Sequence, residues 1–285
     1  MTFLVTARVH YPARLQRAEL LASRYAFAKE ILDFYCHVAA FQQEFYKQLP
    51  NRSGEHPAAA AGGDLRSQLH VPLLIESFGS FLGVVERHGP APLAAQASQL
   101  RDQGAADWTE VLEEFWKTGL LESTDAVGVD AALDSQPFRE FFARAFLQPY
   151  AEFIAGSMLP PVLPMTLSRC PRCNGLPLLG VLRPEGDGGK RFLQCSFCSE
   201  EWEFRRILCA HCGEDQEQKL AVYVAEEFPH IRVETCDSCR HFLRTIDLTK
   251  DGNAVPLVDD LAAIPLGLWT HEYGYQRIQE NLLHT

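Results

Sequence analysis

The sequence predicts an α+β protein, in which an N-terminal α-helical bundle is followed by two tandem four-cysteine modules and a short helical tail. Three observations predict this class. Apolar residues recur at three- and four-residue steps before residue 157, four Cys-x-x-Cys pairs follow, and short alternating stretches flank these pairs. We expect the domain boundaries 1–164, 165–207, 208–250 and 251–285.

The bundle begins with a long periodic stretch over 14–49, which predicts one helix ended by Pro50. A second helix is expected from Pro72 to His88, since proline is tolerated in a first turn. A third, weaker helix is expected over 93–103. The aromatic residues on these helices are expected to fill a helical core rather than to bind a cofactor.

Two further helices complete the predicted bundle. Asp107 is expected to cap the fourth, because Glu110 lies three residues later as in a capping box. The fifth helix is expected to begin near Gln136, and Pro149 is expected to kink or divide it. The proline-rich segment 159–164 cannot continue a helix and is typical of a linker.

Four Cys-x-x-Cys pairs follow the linker. Two residues between cysteines let one tight turn direct both thiols at one point, and two such turns form a tetrahedral site with four sulfur ligands. The first two pairs are separated by 21 residues and the last two by 23, but the second and third by only 10. This spacing predicts one site per module, although an interleaved pairing is an alternative. The predicted ligands are Cys170, Cys173, Cys195, Cys198, Cys209, Cys212, Cys236 and Cys239.

Alternating residues flank the second pair of each module and predict short strands at 191–194, 202–205, 231–234 and 242–245. Each module therefore has the plan of a rubredoxin or a zinc ribbon. A module of about 40 residues buries too little apolar surface to fold alone. An ion held by four thiolates supplies on the order of 10 kcal/mol. Disulfides are disfavoured, because they need an oxidising compartment.

The spacing suits zinc and a single iron about equally, whereas iron–sulfur clusters use other spacings. From the spacing alone zinc is favoured, since structural zinc sites are common. Cys36 lies in the first predicted helix and is expected to be a small buried residue rather than a ligand. His211, inside the third Cys-x-x-Cys turn, is expected on the surface.

The remaining segments are short. The glycine-rich stretch 184–189 lies between strands and is expected to be a hairpin loop, because no phosphate-binding lysine and helix follow it. After the second module, 259–264 and 271–283 are expected to be helical.

Charge and motif content disfavour several functional classes. The net charge is −11, with 13 basic against 19 acidic residues up to residue 167 and 13 against 18 after it. Nucleic-acid binders normally show a basic surface, so no nucleic-acid partner is expected.

No apolar run suggests membrane insertion, and the N-terminus lacks the pattern of a secretory signal, so we expect a cytoplasmic protein. No catalytic motif is found, and a four-cysteine site is coordinatively closed, so no enzyme activity is expected.

The fourfold Cys-x-x-Cys pattern, with residues around it, resembles the formate dehydrogenase accessory proteins, the FdhE family. The resemblance covers nearly the whole chain. Finer matches lie beside the cysteines and in the tail. They are Glu201-Trp202, Arg206, Glu234, Asp259-Asp260-Leu261-Ala262, Gly274-Tyr275 and Arg277.

This resemblance implies a cytoplasmic, non-catalytic protein that helps to produce active respiratory formate dehydrogenase. Its implied partner is the catalytic subunit of that enzyme. It also implies iron as the cofactor, one ion per four-cysteine module and two in total, with zinc as the alternative. The sequence does not determine whether the chain self-associates.

One departure concerns the residue after the second cysteine of each turn, where rubredoxin-like turns favour a positive φ. Gly213 suits this position, and Asn174 is the usual substitute for glycine, but Ser199 and Arg240 seldom adopt a positive φ.

Two other functions compete with that of an accessory protein. One is a rubredoxin-like carrier of single electrons, and the other, disfavoured by the acidic charge, is a zinc-ribbon regulator.

Overall fold

The structure is a computed structural model, and it describes residues 10–52, 65–119, 136–158, 164–186 and 188–285. The chain divides into two compact units. The helical unit is Asp33–Leu159, and the sheet unit combines Met1–Leu32 with Pro160–Thr285. The predicted α+β class is confirmed. The predicted four-part division of the chain stays a prediction.

Six α-helices precede the cysteine pairs in the described residues, which confirms the predicted helical character of this part. Phe78 and Phe45 pack on Phe146, with ring centroids 5.0 and 4.9 Å apart, so aromatic side chains fill the core of the helical unit. The helices are α1 (Tyr11–Arg24), α2 (Lys29–Arg52), α3 (Ile75–His88), α4 (Ala91–Gln103), α5 (Ala105–Thr118) and α6 (Gln136–Ser157).

The single helix predicted over 14–49 is wrong, because the chain forms two helices there. α1 ends at Arg24, and Tyr25 is extended with φ −117° and ψ 95°. The Tyr25 ring lies 5.0 Å from that of Phe228, and its hydroxyl donates to the carbonyl of Glu227. A tertiary contact within the sheet unit thus fixes the break, and apolar periodicity cannot reveal it.

The expected cap of α5 is wrong, because Asp107 lies in the first turn and the cap is Gly104. A division of α6 at Pro149 is also wrong, because the helix runs undivided through this residue. A kink at Pro149 stays a prediction. A proline inside a helix leaves the carbonyl four residues earlier without its usual donor. Here the side chain of Gln42 donates to the carbonyl of Ala145 at 2.7 Å and replaces that bond.

One continuous sheet contains both cysteine modules, and its order is β3-β2-β1-β6-β5-β4, with β7 paired to β6. The strands predicted at 191–194, 231–234 and 242–245 are confirmed, the one predicted at 202–205 ends at Glu203, and β1, β4 and β7 are additional. The strands are β1 (Pro177–Glu185), β2 (Gly188–Cys195), β3 (Glu201–Glu203), β4 (Leu220–Val224), β5 (Ile231–Cys236), β6 (His241–Asp247) and β7 (Gln276–Arg277).

The joint between the two modules is a parallel pairing of β1 with β6, in register from Leu179–Arg244 to Leu182–Asp247. At this joint Gly180 lies against Thr245, and a Cβ at residue 180 would overlap the threonine side chain. Within each module the strands pair antiparallel, and β1 and β2 form the hairpin predicted at 184–189. The modules therefore lie side by side in one sheet rather than as two separate small sheets.

The tail contains two short helices, α7 (Pro256–Ala262) and α8 (Ile264–Glu272). The helix expected over 271–283 is wrong, because α8 ends at Glu272 and Gly274 turns the chain with φ +75°. The chain then adds β7 beside β6. Side-chain bonds from Arg277 and Asn281 to the buried Asp260 hold this non-helical end in place.

Candidate metal centres

The structure gathers the eight predicted cysteines into two groups of four, each with its sulfur atoms within 4.8 Å of one another. The grouping is the tandem one, first pair with second and third with fourth, and not the interleaved alternative. Between the two turns of each group, sulfur atoms lie 3.4 and 3.5 Å apart in the first group and 3.7 and 3.8 Å apart in the second. Four sulfurs about 2.3 Å from one central ion would lie roughly 3.8 Å apart. Both groups could therefore hold a metal ion; that they do so stays a prediction.

The same turn recurs in all four pairs. The residue after the second cysteine has a positive φ in each case: +59° at Asn174, +56° at Ser199, +77° at Gly213 and +59° at Arg240. In three of the turns the backbone N–H two residues after the first cysteine lies 3.4 Å from that sulfur. Serine and arginine therefore do not change the turn, although they depart from the usual residues.

The first group is fully buried, and this affects its protonation. Burial raises the pKa of Cys170 and of Cys198 well above the ordinary value. At Cys195 burial acts in the same direction, but hydrogen bonds from the neighbouring thiols outweigh it and lower the pKa. A cation among the four sulfurs would stabilise the thiolates that burial disfavours.

The second group is more open. Cys212 is exposed and Cys239 is half-buried, whereas Cys209 and Cys236 are buried. Burial raises the pKa of Cys209 to about 11. Partial burial would raise the pKa of Cys212, but hydrogen bonds from the backbone N–H of Glu214 and from the other thiols outweigh it and lower the pKa. The two sites therefore share their ligands and turns but differ in access from solvent.

Two imidazoles lie beside the second group. The rings of His211 and His241 stack with centroids 3.8 Å apart, and His241 Nδ1 lies 2.8 Å from the carbonyl oxygen of Cys239. Together with Cys239 they form a third cluster of possible ligand atoms. His211 is exposed, as expected, but His241 was missed by the sequence analysis, although it lies two residues after a predicted ligand. Cys36 belongs to neither group of four and is half-buried rather than buried.

Arginine–carboxylate pairs fix the strands that carry the turns. Arg183 binds Glu201 through two bonds of 2.7 and 2.9 Å. Arg191 on β2 reaches Glu234 on β5 at 2.5 Å and so links the two modules. The indole N–H of Trp202 donates to the carbonyl of Leu167 at 2.7 Å. Residues next to the cysteines thus have structural roles in the sheet.

A buried charge network joins the tail to the sheet. Asp260 is fully buried, lies 2.6 Å from Arg277 and 3.4 Å from Arg244, and accepts a bond from Asn281. The neighbouring Asp259 lies 2.6 Å from Arg17 of α1. Arg17 and Arg244 had no sequence signal, because each partner is distant along the chain.

Family models match the two parts of the cysteine-rich region: the FdhE central domain over 169–206 and the FdhE C-terminal domain over 207–284. A protein FdhE homolog of Aquifex aeolicus is 24% identical over 278 residues, which cover 94% of this chain and 93% of that protein. The homolog of Pseudomonas aeruginosa is 38% identical over 122 residues, which cover 40% of this chain and 38% of that protein.

The fold of this chain is similar to that of a protein solved by crystallography. The crystal structure of the FdhE protein from Pseudomonas aeruginosa superimposes with a TM-score of 0.67 and 26% identity, over 98% of this chain and 97% of that chain. Among the described residues no helix has both the length and the apolar character needed to cross a membrane. Residues 169–284 thus match the models of the FdhE central and C-terminal domains, and the whole chain shares the fold of the Pseudomonas aeruginosa FdhE protein.

Proposed function

We propose that this protein is a cytoplasmic accessory factor, which binds the catalytic subunit of a respiratory formate dehydrogenase and is needed to produce the active enzyme. The observation that carries the proposal is the pair of four-thiol groups held on one continuous sheet, in the region that matches the FdhE family models. Its role is not catalytic, because a four-sulfur site leaves no open coordination position for a substrate. Neither nucleic-acid binding nor membrane insertion belongs to the proposed role.

We infer that each four-thiol group holds one iron ion, two in total. The close sulfurs, and the N–H groups directed at them, suit a tetrahedral thiolate site. Zinc prefers the same sulfur donors, so elemental analysis of protein purified without oxygen is needed to identify the bound metal. Two iron per chain is expected; two zinc and no iron would contradict the inferred metal while leaving the ligand residues unchanged.

The role is tested by complementation of a strain that lacks its own FdhE protein. Wild-type protein should restore formate dehydrogenase activity and retrieve the catalytic subunit in a pull-down. The double variant Cys209→Ser/Cys212→Ser should lose both. Cys36→Ser is the matched control, because Cys36 belongs to neither group, and it should behave as wild type. Full activity in the deletion strain without any added protein would refute the proposal.

A second candidate function is transfer of single electrons to the same partner. The exposure of Cys212 favours it, because electron transfer needs a redox centre near the surface. Iron-loaded protein would then show a thiolate-to-iron absorption band that bleaches with mild reductant and returns on oxidation. A band that does not respond reversibly would leave the metal a structural role only.

A further inference from the structure

Strand β4 is an open edge of the sheet. It pairs with β5 on one side and with no other described strand, so one row of its backbone N–H and C=O groups lacks a strand partner. Its sequence, from Leu220 to Val224, is Leu-Ala-Val-Tyr-Val and contains no charge. The opposite edge, β3, has three residues, two of them glutamates. Natural proteins usually protect their edges with short or charged strands, and β3 follows this rule while β4 does not.

The side chains of β4 are also exposed. Val222, Tyr223 and Val224 are 55%, 42% and 49% accessible, which is unusual for three consecutive large apolar residues. On one face the Tyr223 ring lies 4.9 Å from Trp269, and Trp269 lies 4.9 Å from Tyr273. An apolar strand with an aromatic row beside it is a surface that can accept the alternating side chains of an added strand.

The ends of β4 are acidic. Glu217 precedes the strand, Glu226 and Glu227 follow it, and all three are exposed. None of these three carboxylates has an ion-pair partner among the residues that the structure describes. Two basic groups nearby are already paired, Lys219 with Glu214 at 3.0 Å and Arg232 with Asp247 at 2.5 Å. A third, Lys250, donates to the carbonyl of Pro229 at 3.0 Å. The edge is thus apolar in its centre and negative at both ends.

We propose that β4 binds an extended peptide segment of another protein by strand addition, and that this segment has an apolar centre with basic residues on either side. Main-chain hydrogen bonds to the edge would supply affinity, and the acidic ends would select the flanking charges. A second copy of this chain is a poor occupant. Pairing of β4 with itself, in either direction, would place acidic ends beside acidic ends.

The test uses full-length, metal-loaded protein and a synthetic probe peptide, Lys-Lys-Val-Thr-Val-Thr-Val-Lys-Lys, with binding followed by fluorescence anisotropy. We expect saturable binding of this peptide and at least about tenfold weaker binding of the same peptide with glutamates in place of the lysines. Two N-methylated probes carry methyl groups on alternate residues, one set on each edge of the peptide. One probe should bind as the parent does, and the other should lose binding, because only one peptide edge faces β4.

Protein variants locate the site. Glu226→Lys/Glu227→Lys should weaken binding of the lysine-flanked peptide at least about tenfold. Glu110→Lys/Glu113→Lys makes the same change in net charge in the helical unit and should leave binding unchanged. Val222→Lys tests the apolar centre and should also weaken binding, with metal content and circular dichroism reporting an intact fold.

Four results would overturn the proposal. The first three are no saturable binding, equal binding of both N-methylated probes, and equal loss of binding from the two charge-reversal pairs. The fourth is a dimer, seen by sedimentation, that Val222→Lys dissociates, because it would assign the edge to self-association. The proposed edge does not depend on which client the protein serves. The peptide test can therefore fail while complementation of formate dehydrogenase activity succeeds, and the reverse.

Discussion

At the scale of single residues, the thiol geometry depends on four backbone positions with a positive φ. Glycine adopts this conformation freely, asparagine adopts it at a small cost, and other residues pay roughly 1–2 kcal/mol. Ser199 and Arg240 nevertheless adopt it. Arg240 is held by a bond to the carbonyl of Tyr273, and its guanidinium lies 3.9 Å from the centre of the Tyr275 ring. Contacts elsewhere in the sheet unit thus offset a local cost.

Gly213 allows a direct test of this cost, because a Cβ there would meet no other atom within 4 Å. Gly213→Val should lower the free energy of unfolding of the sheet unit by about 2 kcal/mol, since only the backbone conformation is affected. Gly213→Asn should cost less than half as much, because asparagine tolerates this region. Urea unfolding of the metal-loaded proteins measures both, and an equal effect of the two substitutions would contradict the explanation.

Asp260 is the charged residue whose removal should cost most. Asp260→Asn would leave the buried guanidiniums of Arg277 and Arg244 without their counter-ion, which typically costs about 3–5 kcal/mol. Asp215→Asn is the control, because the Asp215–Arg205 pair is half exposed and 3.7 Å long, and it should cost about 0.5 kcal/mol or less. Urea unfolding compares the two variants. Similar losses would show that burial of the network does not matter.

The stabilisation from Asp260 should depend on pH in a defined direction. Burial alone would raise the pKa of this carboxyl, but the charges of Arg244 and Arg277 outweigh it and lower the pKa. A carboxyl with a lowered pKa stabilises the fold above its ordinary pKa of about 4, and this contribution is lost as the pH falls through the lowered value. The stability difference between wild type and Asp260→Asn should therefore stay constant from pH 7 to 5 and shrink below pH 4. A difference that grows on acidification would contradict this.

At the scale of elements, the local sequence pattern predicted those helices, strands and turns that residues close in the sequence determine. Alternation located the strands beside the cysteines, and the two-residue spacing located the turns. The break at Tyr25 and the undivided helix through Pro149 escaped prediction, because Phe228 and Gln42 determine them from distant positions. The parallel joint between β1 and β6 also has no local signal, since its partners lie more than sixty residues apart. The grouping of the eight cysteines was therefore predictable, and the single sheet that contains both groups was not.

The two four-thiol groups should release metal at different rates, because they differ in exposure. With zinc as the probe metal and 4-(2-pyridylazo)resorcinol as the chelator, we expect two phases of one ion each. The phase from the second group should be roughly tenfold faster or more, since the buried first group must open before a chelator can enter.

Matched variants assign the two phases. Cys209→Ser/Cys212→Ser should abolish the fast phase, and Cys170→Ser/Cys173→Ser the slow one. Cys36→Ser should retain both. A single phase releasing two ions would mean that the difference in exposure does not control access to the metal.

At the scale of the whole molecule, the sheet unit is assembled from both ends of the chain. Arg17 of α1 binds Asp259 at 2.6 Å, across 242 positions of the sequence, and also Asp251 at 2.7 Å. The tail closes the same unit through Asp260 and Arg277. The metal modules are thus one part of a larger folded unit, which contains the first helix and both helices of the tail. A module of about 40 residues has little core of its own, and here the neighbouring elements add to it.

This organisation predicts which part of the molecule responds to loss of metal. All eight thiols lie in the sheet unit, which also contains Trp202 and Trp269, while Trp108 and Trp116 lie in the helical unit. Protein labelled with 5-fluorotryptophan should give four fluorine signals, assigned through single Trp→Phe variants. Chelation should shift or broaden the signals of Trp202 and Trp269 and leave those of Trp108 and Trp116 nearly unchanged, because the free energy of metal binding stabilises the unit that holds the ligands. An equal response of all four signals would mean that the ions stabilise both units, and that the two units do not unfold separately.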